Sequence, residues 1–307
     1  MIQLRRILWP CDFSEFSDRA LEHALPLARW YGAGITALHI LSPPASVPNA
    51  IAFGPGPILP YEPVPAVPEP DLVSQARAGL LRLLEPARTA GVATDTVVEQ
   101  GRPAHEIVST ARSVPADLVV IGTHGRGGFA RWVLGSVTEK VLRQAPCPVL
   151  TVPAQSAARR EGGLFKRILC ATDFSEPASQ AARYAFSLAQ EAQARVALLH
   201  VLEGPSVEEV EEWAHVSMRD YYAEVERDAR RRLHEAIPEE APNWCEIEEV
   251  VSLGRAHREI LSLARAQVVD LIVLGVHGRS AVELLFFGST THHVVREAHC
   301  AVLTVRT

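Results

Sequence analysis

An internal duplication is the feature of this 307-residue sequence that most restricts its fold. The segment Arg6–Glu15 returns as Arg167–Glu176, with Arg-Ile-Leu and Asp-Phe-Ser-Glu at matching places. Toward the end of each repeat, about half of the last 52 residues are identical. A unit of this size folds as a domain because it is long enough to bury a core of its own. We therefore predict two domains, residues 1–153 and 165–307, joined by a small polar linker at 154–164.

Each repeat alternates between apolar runs of strand length and segments with the period of a helix. In the first repeat the predicted strands are Leu4–Trp9, Gly34–Leu41, Thr94–Gln100, Asp117–Ile121 and Pro148–Val152, and the predicted helices are Ser17–Trp30 (with Ser17 as its N-cap), Asp71–Ala90, Pro103–Ser113 and Ser136–Gln144. In the second repeat the predicted strands lie near Ile168–Ala171, Arg195–Val201, Cys245–Ser252, Asp270–Leu274 and Ala301–Val305. This alternation predicts an α/β fold in which each repeat forms a parallel, doubly wound sheet with helices on both faces.

The last strand of each repeat is apolar and would be left bare at the edge of its own sheet. An apolar edge strand invites association with another strand. We therefore expect the two repeats to pack as a pseudo-twofold pair through Val149–Val152 and Val302–Val305. A further homodimer of the whole chain is also expected.

A proline-rich insert at residues 42–70 distinguishes the first repeat from the second. It carries ten prolines and little charge, so it cannot form a helix or a central strand. It follows the second strand, at the sheet edge where open α/β folds bind ligands. It is either an exposed loop or a lid beside a ligand site. In the second repeat a charged helix, predicted at Val207–Glu235, takes its place.

A glycine-rich loop follows an apolar strand and precedes a helix in each repeat. Gly122–Ser136 reads GTHGRGGFARWVLGS and Gly275–Ser289 reads GVHGRSAVELLFFGS, so both fit Gly-x2-Gly-x9-Gly-Ser. Glycine lets a ligand approach the backbone, and the free N–H groups of a helix start, with Ser136 as the predicted N-cap, attract anions. One such loop can be a tight turn, but two copies with identical spacing favour a nucleotide-phosphate site.

Several polar side chains near this loop have both a structural and a functional interpretation. Asp12 and Asp173 follow the first strand of each repeat, where a carboxylate either caps the turn or contacts a ribose hydroxyl, a base amine or a metal. Two loop arginines, Arg126 and Arg279, either reach phosphate or are solvated. Two loop histidines, His124 and His277, either donate to phosphate or make a structural hydrogen bond. Two strand histidines, His39 and His200, are interpreted as core or strand-edge residues, and His292-His293 lacks the ligand set of a zinc site.

Composition limits the class of protein and its partners. Hydrophobic residues make up 48% and charged residues 21%, as in a globular chain. The net charge of −6 arises entirely after residue 153 and argues against nucleic acid as the main partner. No apolar run approaches the length of a membrane helix, and the N-terminal run is too short for a signal peptide. Five cysteines without a CxxC pair fit a reducing compartment, so a cytoplasmic location is expected.

The repeated glycine loop, the early aspartate and the terminal Cys-Pro-Val-Leu-Thr-Val strand resemble the universal stress protein A family over nearly the whole chain. The resemblance implies a Rossmann-like, five-stranded parallel sheet of order 3-2-1-4-5 in each repeat. It also implies ATP binding, with Mg²⁺ as a counter-ion that the nucleotide can carry. It places Asp12 and the backbone of Ile40 at the adenosine, and ribose and phosphates at Gly122, Gly125, Gly135, Ser136 and Val137. The corresponding residues of the second repeat are Asp173, Val201, Gly275, Gly278, Gly288, Ser289 and Thr290.

The second repeat departs from the first inside the loop. It has Glu283 and Leu284 where the first repeat has Ala130 and Arg131, which adds an anion and removes a cation beside a polyanion. Its Ser280 and Ala281 also replace two glycines, Gly127 and Gly128. From the charges we expect ATP to bind about tenfold more tightly at the first site.

Three functions are compatible with these features. The first is a nucleotide-sensing, regulatory binding module in which ATP shifts shape or partners without substantial turnover. The second is a slow ATPase or adenylyl-transfer enzyme, and the third is a dimeric interaction protein that has lost nucleotide binding. The sequence has no P-loop lysine, no Ser-Gly-Gly-x-Asp pyrophosphatase loop and no nucleophile–base spacing, so the first function is favoured.

Overall fold

A computed structural model describes residues 2–42, 70–125, 134–154, 165–204, 218–276 and 288–306. The strands are β1 Arg6–Pro10, β2 Gly34–Leu41, β3 Thr94–Gln100, β4 Leu118–Gly122, β5 Val149–Val152, β6 Arg167–Ala171, β7 Arg195–Leu202, β8 Ile247–Leu253, β9 Leu271–Gly275 and β10 Ala301–Val305. The helices within those ranges are α1 Glu15–Tyr31, α2 Pro70–Leu83, α3 Glu85–Thr89, α4 Pro103–Ser113, α5 Ser136–Gln144, α6 Glu176–Ala192, α7 Met218–Glu235, α8 Ala256–Ala266 and α9 Ser289–Glu297. A 3₁₀ turn spans Ala241–Asn243.

All ten strands form one sheet in the order β3-β2-β1-β4-β5-β10-β9-β6-β7-β8. Within each repeat the order is 3-2-1-4-5 and every recorded strand pair is parallel, which confirms the predicted fold class. The strand order reverses direction at β1 in the first repeat and at β6 in the second. Ligands of open α/β sheets bind at the carboxyl ends of the strands at such a switch point.

The two repeats meet through β5 and β10, as predicted. These strands are antiparallel, with Leu150 opposite Leu303 and Thr151 opposite Val302. Both leucines are almost fully buried, and they line a small apolar cavity with Phe165 and Tyr184. Two side-chain hydrogen bonds also join these strands. The Thr151 hydroxyl donates to the Val302 carbonyl and the Thr304 hydroxyl donates to the Val149 carbonyl, each at 3.1 Å. Joining the edges in this way buries strands that would otherwise invite association.

Two predicted element boundaries were wrong, each for a local reason. The predicted helix Ser17–Trp30 begins earlier, at Glu15, because Ser14 rather than Ser17 is the N-cap and its side chain accepts from the Ser17 N–H. The predicted long helix Asp71–Ala90 is two helices, α2 and α3, interrupted at Leu84. Pro86 lies at the start of α3, where its missing N–H is tolerated, but inside a longer helix it would remove a hydrogen bond.

Part of the predicted helix Val207–Glu235 lies outside the described residues, as do most of the proline-rich insert and the linker. The described part, α7, packs against β7 and β8. None of the five cysteines, all of which the structure describes, forms a disulfide. Among the described helices, none is both long enough and apolar enough to cross a membrane.

Candidate functional site

A cavity of about 960 Å³ lies at the carboxyl ends of β1, β2 and β4, beside the first turn of α5. We call it the first crevice. Its volume is at the upper end of the range of about 300–1,000 Å³ that small-molecule sites occupy. The described residues lining it are Pro10, Cys11, Asp12, Ser17, His39, Ile40, Leu41, Ser42, Pro103, Ile107, Ile121, Gly122, His124, Gly125, Leu134, Gly135, Ser136, Val137, Thr138 and Glu139. The crevice therefore joins an apolar wall to a polar end formed by a carboxylate, imidazoles and a helix start.

The predicted residues of the first repeat converge on this crevice. Eight of them line it: Asp12, Ile40, Gly122, His124, Gly125, Gly135, Ser136 and Val137. Arg126 lies outside the described residues. Only folding brings Asp12 and Gly135 together, because they are far apart in the sequence and belong to loops after different strands.

The start of α5 is fixed to the end of β4 by two hydrogen bonds. The Thr138 hydroxyl donates to the Gly122 carbonyl at 2.8 Å, and the Gly135 N–H donates to the Thr123 carbonyl at 2.9 Å. Gly135 is the N-cap and Ser136 the first helical residue, so the prediction of Ser136 as the cap was wrong. Gly135 makes no side-chain capping bond, so the free N–H groups of the first turn stay available to an anion in the crevice.

Asp12 closes the turn before α1, which is one of its two predicted roles. One carboxylate oxygen accepts from the Ser14 N–H at 3.0 Å and from the Ser14 hydroxyl at 2.5 Å, which closes the turn before α1. The same side chain lines the crevice. Its neighbour Phe13 has φ = 61°, a left-handed conformation that is rare for a bulky residue. Such backbone strain concentrates at functional sites. Here the strained residue directly follows Asp12, whose side chain lines the crevice.

His39 holds the residues on both sides of Asp12. Its Nδ1 lies 2.8 Å from the carbonyl oxygen of Cys11, and its ring packs 4.6 Å from the ring of Phe13. Because a carbonyl can only accept, Nδ1 of His39 is the donor in this hydrogen bond. His39 is thus a positioning residue for the Asp12 turn as well as a residue at the end of β2.

We predict that His39→Phe weakens ATP binding at the first crevice about fivefold and lowers the free energy of unfolding by about 1 kcal/mol, because the Cys11 carbonyl loses its donor. His39→Asn is expected to recover part of both losses, since its amide can donate near the position of Nδ1. His200→Phe, the matched change in the second repeat, should cost similar stability but leave the first site unchanged. Calorimetry and urea unfolding measure the two quantities. Equal losses of first-site affinity in His39→Phe and His200→Phe would contradict the positioning role.

Glycines at the loop ends serve packing more than ligand approach. A Cβ on Gly122 would lie 3.0 Å from the Phe16 carbonyl oxygen, and one on Gly135 would lie 3.0 Å from the Thr123 carbonyl oxygen. Gly135 has φ = −58°, which any residue adopts. A larger side chain at Gly135 would therefore press on the backbone after β4, whatever ligand the crevice holds.

Gly125 is different, because a side chain there would meet the site itself. A Cβ on Gly125 would lie 2.8 Å from the second carboxylate oxygen of Asp12, closer than real Cβ atoms pack. The absence of a side chain at Gly125 is therefore what allows the Asp12 carboxylate to occupy its position in the crevice.

His124 lines the crevice and has one ring nitrogen without a hydrogen-bond partner among the described residues. Its Nδ1 pairs with the Thr123 hydroxyl at 2.9 Å, whereas Nε2 is buried and unsatisfied. Buried polar atoms nearly always have partners, so Nε2 is an atom that a further polar group would satisfy. The role of His124 as a phosphate contact stays a prediction.

The second repeat reproduces the scaffold of the crevice. Asp173 accepts from the Ser175 N–H at 3.0 Å, and the Nδ1 of His200 lies 2.7 Å from the Thr172 carbonyl. Phe174 has φ = 64° and packs 4.4 Å from His200. The start of α9 is tied to β9 by Thr291, whose hydroxyl donates to the Gly275 carbonyl at 3.1 Å.

The predicted residues of the second repeat lie at the equivalent strand ends. Val201 is in β7 and Gly275 ends β9, while Gly288, Ser289 and Thr290 form the start of α9. Three other predicted residues, His277, Gly278 and Arg279, lie outside the described residues. So do Gly127, Gly128, Ala130, Arg131, Ser280, Ala281, Glu283 and Leu284, on which the expected difference between the sites depends.

Sequence reasoning missed several residues of the first crevice. Cys11, Ser17, Pro103, Ile107, Thr138 and Glu139 all line it. Thr138 could have been found, because the matching position of the second repeat is also threonine, Thr291. Ile107 carries the same signal, since its counterpart is Ile260, whereas Cys11 and Glu139 differ from their counterparts Thr172 and His292.

Comparisons with known proteins agree with the repeated architecture. A model of the universal stress protein family matches residues 3–153 and again residues 164–306. A universal stress protein of Mycolicibacterium smegmatis is 26% identical over 312 residues, covering 98% of this chain and 96% of the relative. One from Methanocaldococcus jannaschii is 32% identical over 153 residues, covering 48% of this chain and 81% of the relative. A solved universal stress protein from Archaeoglobus fulgidus has the same fold, with a TM-score of 0.68, 21% identity, and coverage of 99% of this chain and 97% of that one.

Proposed function

The chain belongs to the universal stress protein family, and from this premise we propose that it is a regulatory module in the stress response that binds ATP in its first crevice. The observation that carries the proposal is the convergence of three features on one cavity. Asp12, His124 and the first residues of α5 all line the same space. Each is suited to a different part of a nucleotide.

The crevice offers matching chemistry along the length of ATP. Ile40, Ile107 and Leu134 supply an apolar wall against which a base can pack. Asp12 is placed to accept from a ribose hydroxyl or a base amine. The N–H groups at Ser136 and Val137 lie at the positive end of the α5 dipole, where phosphate oxygens are stabilised. Magnesium would come with the nucleotide.

We propose that the protein does not hydrolyse ATP at a substantial rate. Burial raises the pKa of the Cys11 thiol to about 11, so this lining residue stays protonated at neutral pH and is a poor nucleophile. The Ser17 hydroxyl donates to the Ser14 carbonyl at 2.8 Å and is engaged in the helix cap. Neither described side chain is paired with a base that would activate it.

Mass spectrometry of the nucleotide released from freshly purified, denatured protein tests the proposal. Recovery of ATP at up to two molecules per chain is the expected result. A single-turnover incubation with excess protein should leave that ATP intact over hours. ADP formed at a catalytic rate would favour the ATPase alternative, and no bound or bindable nucleotide would favour an interaction protein without nucleotide binding.

We predict that the first site binds ATP more tightly than the second, by about threefold to tenfold. The loop charges alone predict a difference in ATP affinity of about tenfold. We expect a smaller one, because the carboxylate of Glu139 lines the first crevice where the second repeat has His292. The Glu139 charge is partly offset by Arg143, 2.9 Å away. Calorimetry measures the difference on two variants that each weaken one site, Asp173→Ala and Asp12→Ala. These variants remove equivalent turn carboxylates, so each is the control for the stability of the other. Equal ATP affinity in the two variants would show that the charge argument is wrong.

The proposal also includes a homodimer, a cytoplasmic location and a regulatory protein partner of unknown identity. Sedimentation of the purified chain with and without ATP tests whether the oligomeric state responds to the nucleotide.

A further inference from the structure

A second cavity, of about 400 Å³, lies between α8 and α9 of the second repeat. We call it the basic groove. The described residues lining it are His257, Arg258, Leu261, Ser262, Arg265, His293 and Glu297. It shares none of these residues with either predicted nucleotide site. Arg258, Leu261, Ser262 and Arg265 are spaced three or four apart, so they lie along one face of α8. The two arginines stand two turns apart, about 10 Å along the helix axis.

The arginines of the groove have no neutralising partner among the described residues. The only carboxylate in the lining, Glu297, is engaged by Arg296 at 2.6 Å and lies 3.6 Å from Nδ1 of His293. The hydrogen bond from Arg296 holds the pKa of Glu297 below its usual range. This carboxylate therefore stays charged and is paired with Arg296, a residue of the same helix. Neither Arg258 nor Arg265 makes an ion pair or side-chain hydrogen bond within the described part of the chain. Two guanidinium groups, which bind phosphate oxygens in pairs, therefore face the groove unpaired.

Two histidines stack at one end of the groove. The rings of His257 and His293 have centroids 4.6 Å apart and an interplanar angle of 23°. Burial, followed by the charges of His293 and Arg258, lowers the pKa of His257, and Arg255 adds to the effect while Glu297 opposes it. Stacked imidazoles repel each other when both are protonated, and nearby arginines increase that repulsion. An anion in the groove would offset this electrostatic repulsion.

The matching surface of the first repeat lacks this arrangement. There the histidine pair is replaced by Ala104 and Lys140, and Arg258 by His105. Of the four basic groove positions, only Arg265 keeps its residue type, as Arg112. Since the shared fold is maintained without the cluster, folding does not require it.

We propose that the basic groove is a binding site for a small polyanion that carries phosphate groups. Arg258 and Arg265 would each take oxygens at one end of the ligand, and Ser262 lies between them to donate a hydroxyl. The histidine pair would supply additional positive charge on protonation. The groove is too small for a macromolecular surface and matches a ligand with anionic groups spread over a few ångströms.

Nuclear magnetic resonance of the histidine rings in the full-length protein tests this site with inorganic pyrophosphate as the probe. His257→Gln and His293→Gln assign the two ring signals. Saturable shifts of both signals are expected, and Arg258→Gln/Arg265→Gln should raise the dissociation constant at least about tenfold. Inorganic sulfate, whose charge does not change near neutral pH, should bind more tightly as pH falls, because protonation of the histidines adds positive charge.

The control is Arg112→Gln/Lys140→Gln, which removes two positive charges at matched positions of the first repeat. It should leave the shifts and the affinity unchanged. Asp12→Ala/Asp173→Ala should leave them unchanged as well, which separates the groove from nucleotide binding. The absence of saturable shifts would overturn the proposal. So would equal loss of affinity in the control and the groove variant, because that would indicate general charge attraction.

Discussion

Gly125→Ala is expected to weaken ATP binding at the first crevice about tenfold to a hundredfold. The new Cβ would lie 2.8 Å from the Asp12 carboxylate oxygen, so the carboxylate must leave its position. The loss of one hydrogen bond to a charged group, about 1.5–3 kcal/mol, corresponds to this range of affinity. Calorimetry in the Asp173→Ala background, where only the first site is intact, measures the effect.

A double-mutant cycle shows whether the clash acts through Asp12. In an Asp12→Ala chain the carboxylate is absent, so adding Gly125→Ala should cost little further affinity. Full additivity of the two losses would contradict the mechanism. Circular dichroism should show the same fold in each variant, because Gly125 has no other described neighbour close to a new Cβ.

Leu303→Ala is expected to lower the free energy of unfolding by about 3 kcal/mol. Leu303 is 3% exposed and faces Leu150 across the antiparallel pair of β5 and β10. The junction already contains a small apolar cavity lined by Leu303 and Phe165, so removing the side chain would enlarge a void that the neighbours do not fill. Urea unfolding followed by tryptophan fluorescence measures the change.

Leu253→Ala is the matched control, since the same atoms are removed from a side chain that is 57% exposed. Its expected effect is under about 0.5 kcal/mol. The junction variant should also loosen the coupling between repeats, seen as separation of one unfolding transition into two. Equal stability losses in the two variants would mean that β5 and β10 do not form a buried junction.

Local sequence patterns were sufficient to predict the elements and their order. Apolar runs of strand length predicted the strands to within two residues at nearly every end, because burial on both faces of a parallel sheet requires continuous apolar sequence. The duplication doubled the evidence for each element. It also identified the loop that leads to Gly135 and Gly288, at the helix starts that line the predicted sites.

The prediction of the first helix start failed because two nearby residues could both cap the helix. Ser14 and Ser17 are both good N-caps by type. Ser14 is the cap because the Asp12 turn orients it before the helix. The sequence also did not show that Gly135 packs against the Thr123 carbonyl, because that contact joins residues of different elements.

The sequence by itself determined the two repeats and their doubly wound class, because apolar strand-length runs alternate with helical segments. Its resemblance to a family implied the strand order and seven of the residues that line the first crevice. Only the tertiary structure decided what those residues do to one another. The pairing of His39 with Cys11, the space at Gly125 for Asp12 and the unpaired arginines of the basic groove join residues that are distant in the chain or on different elements. Their distances depend on how helices pack on the sheet, and no local period or propensity encodes that packing.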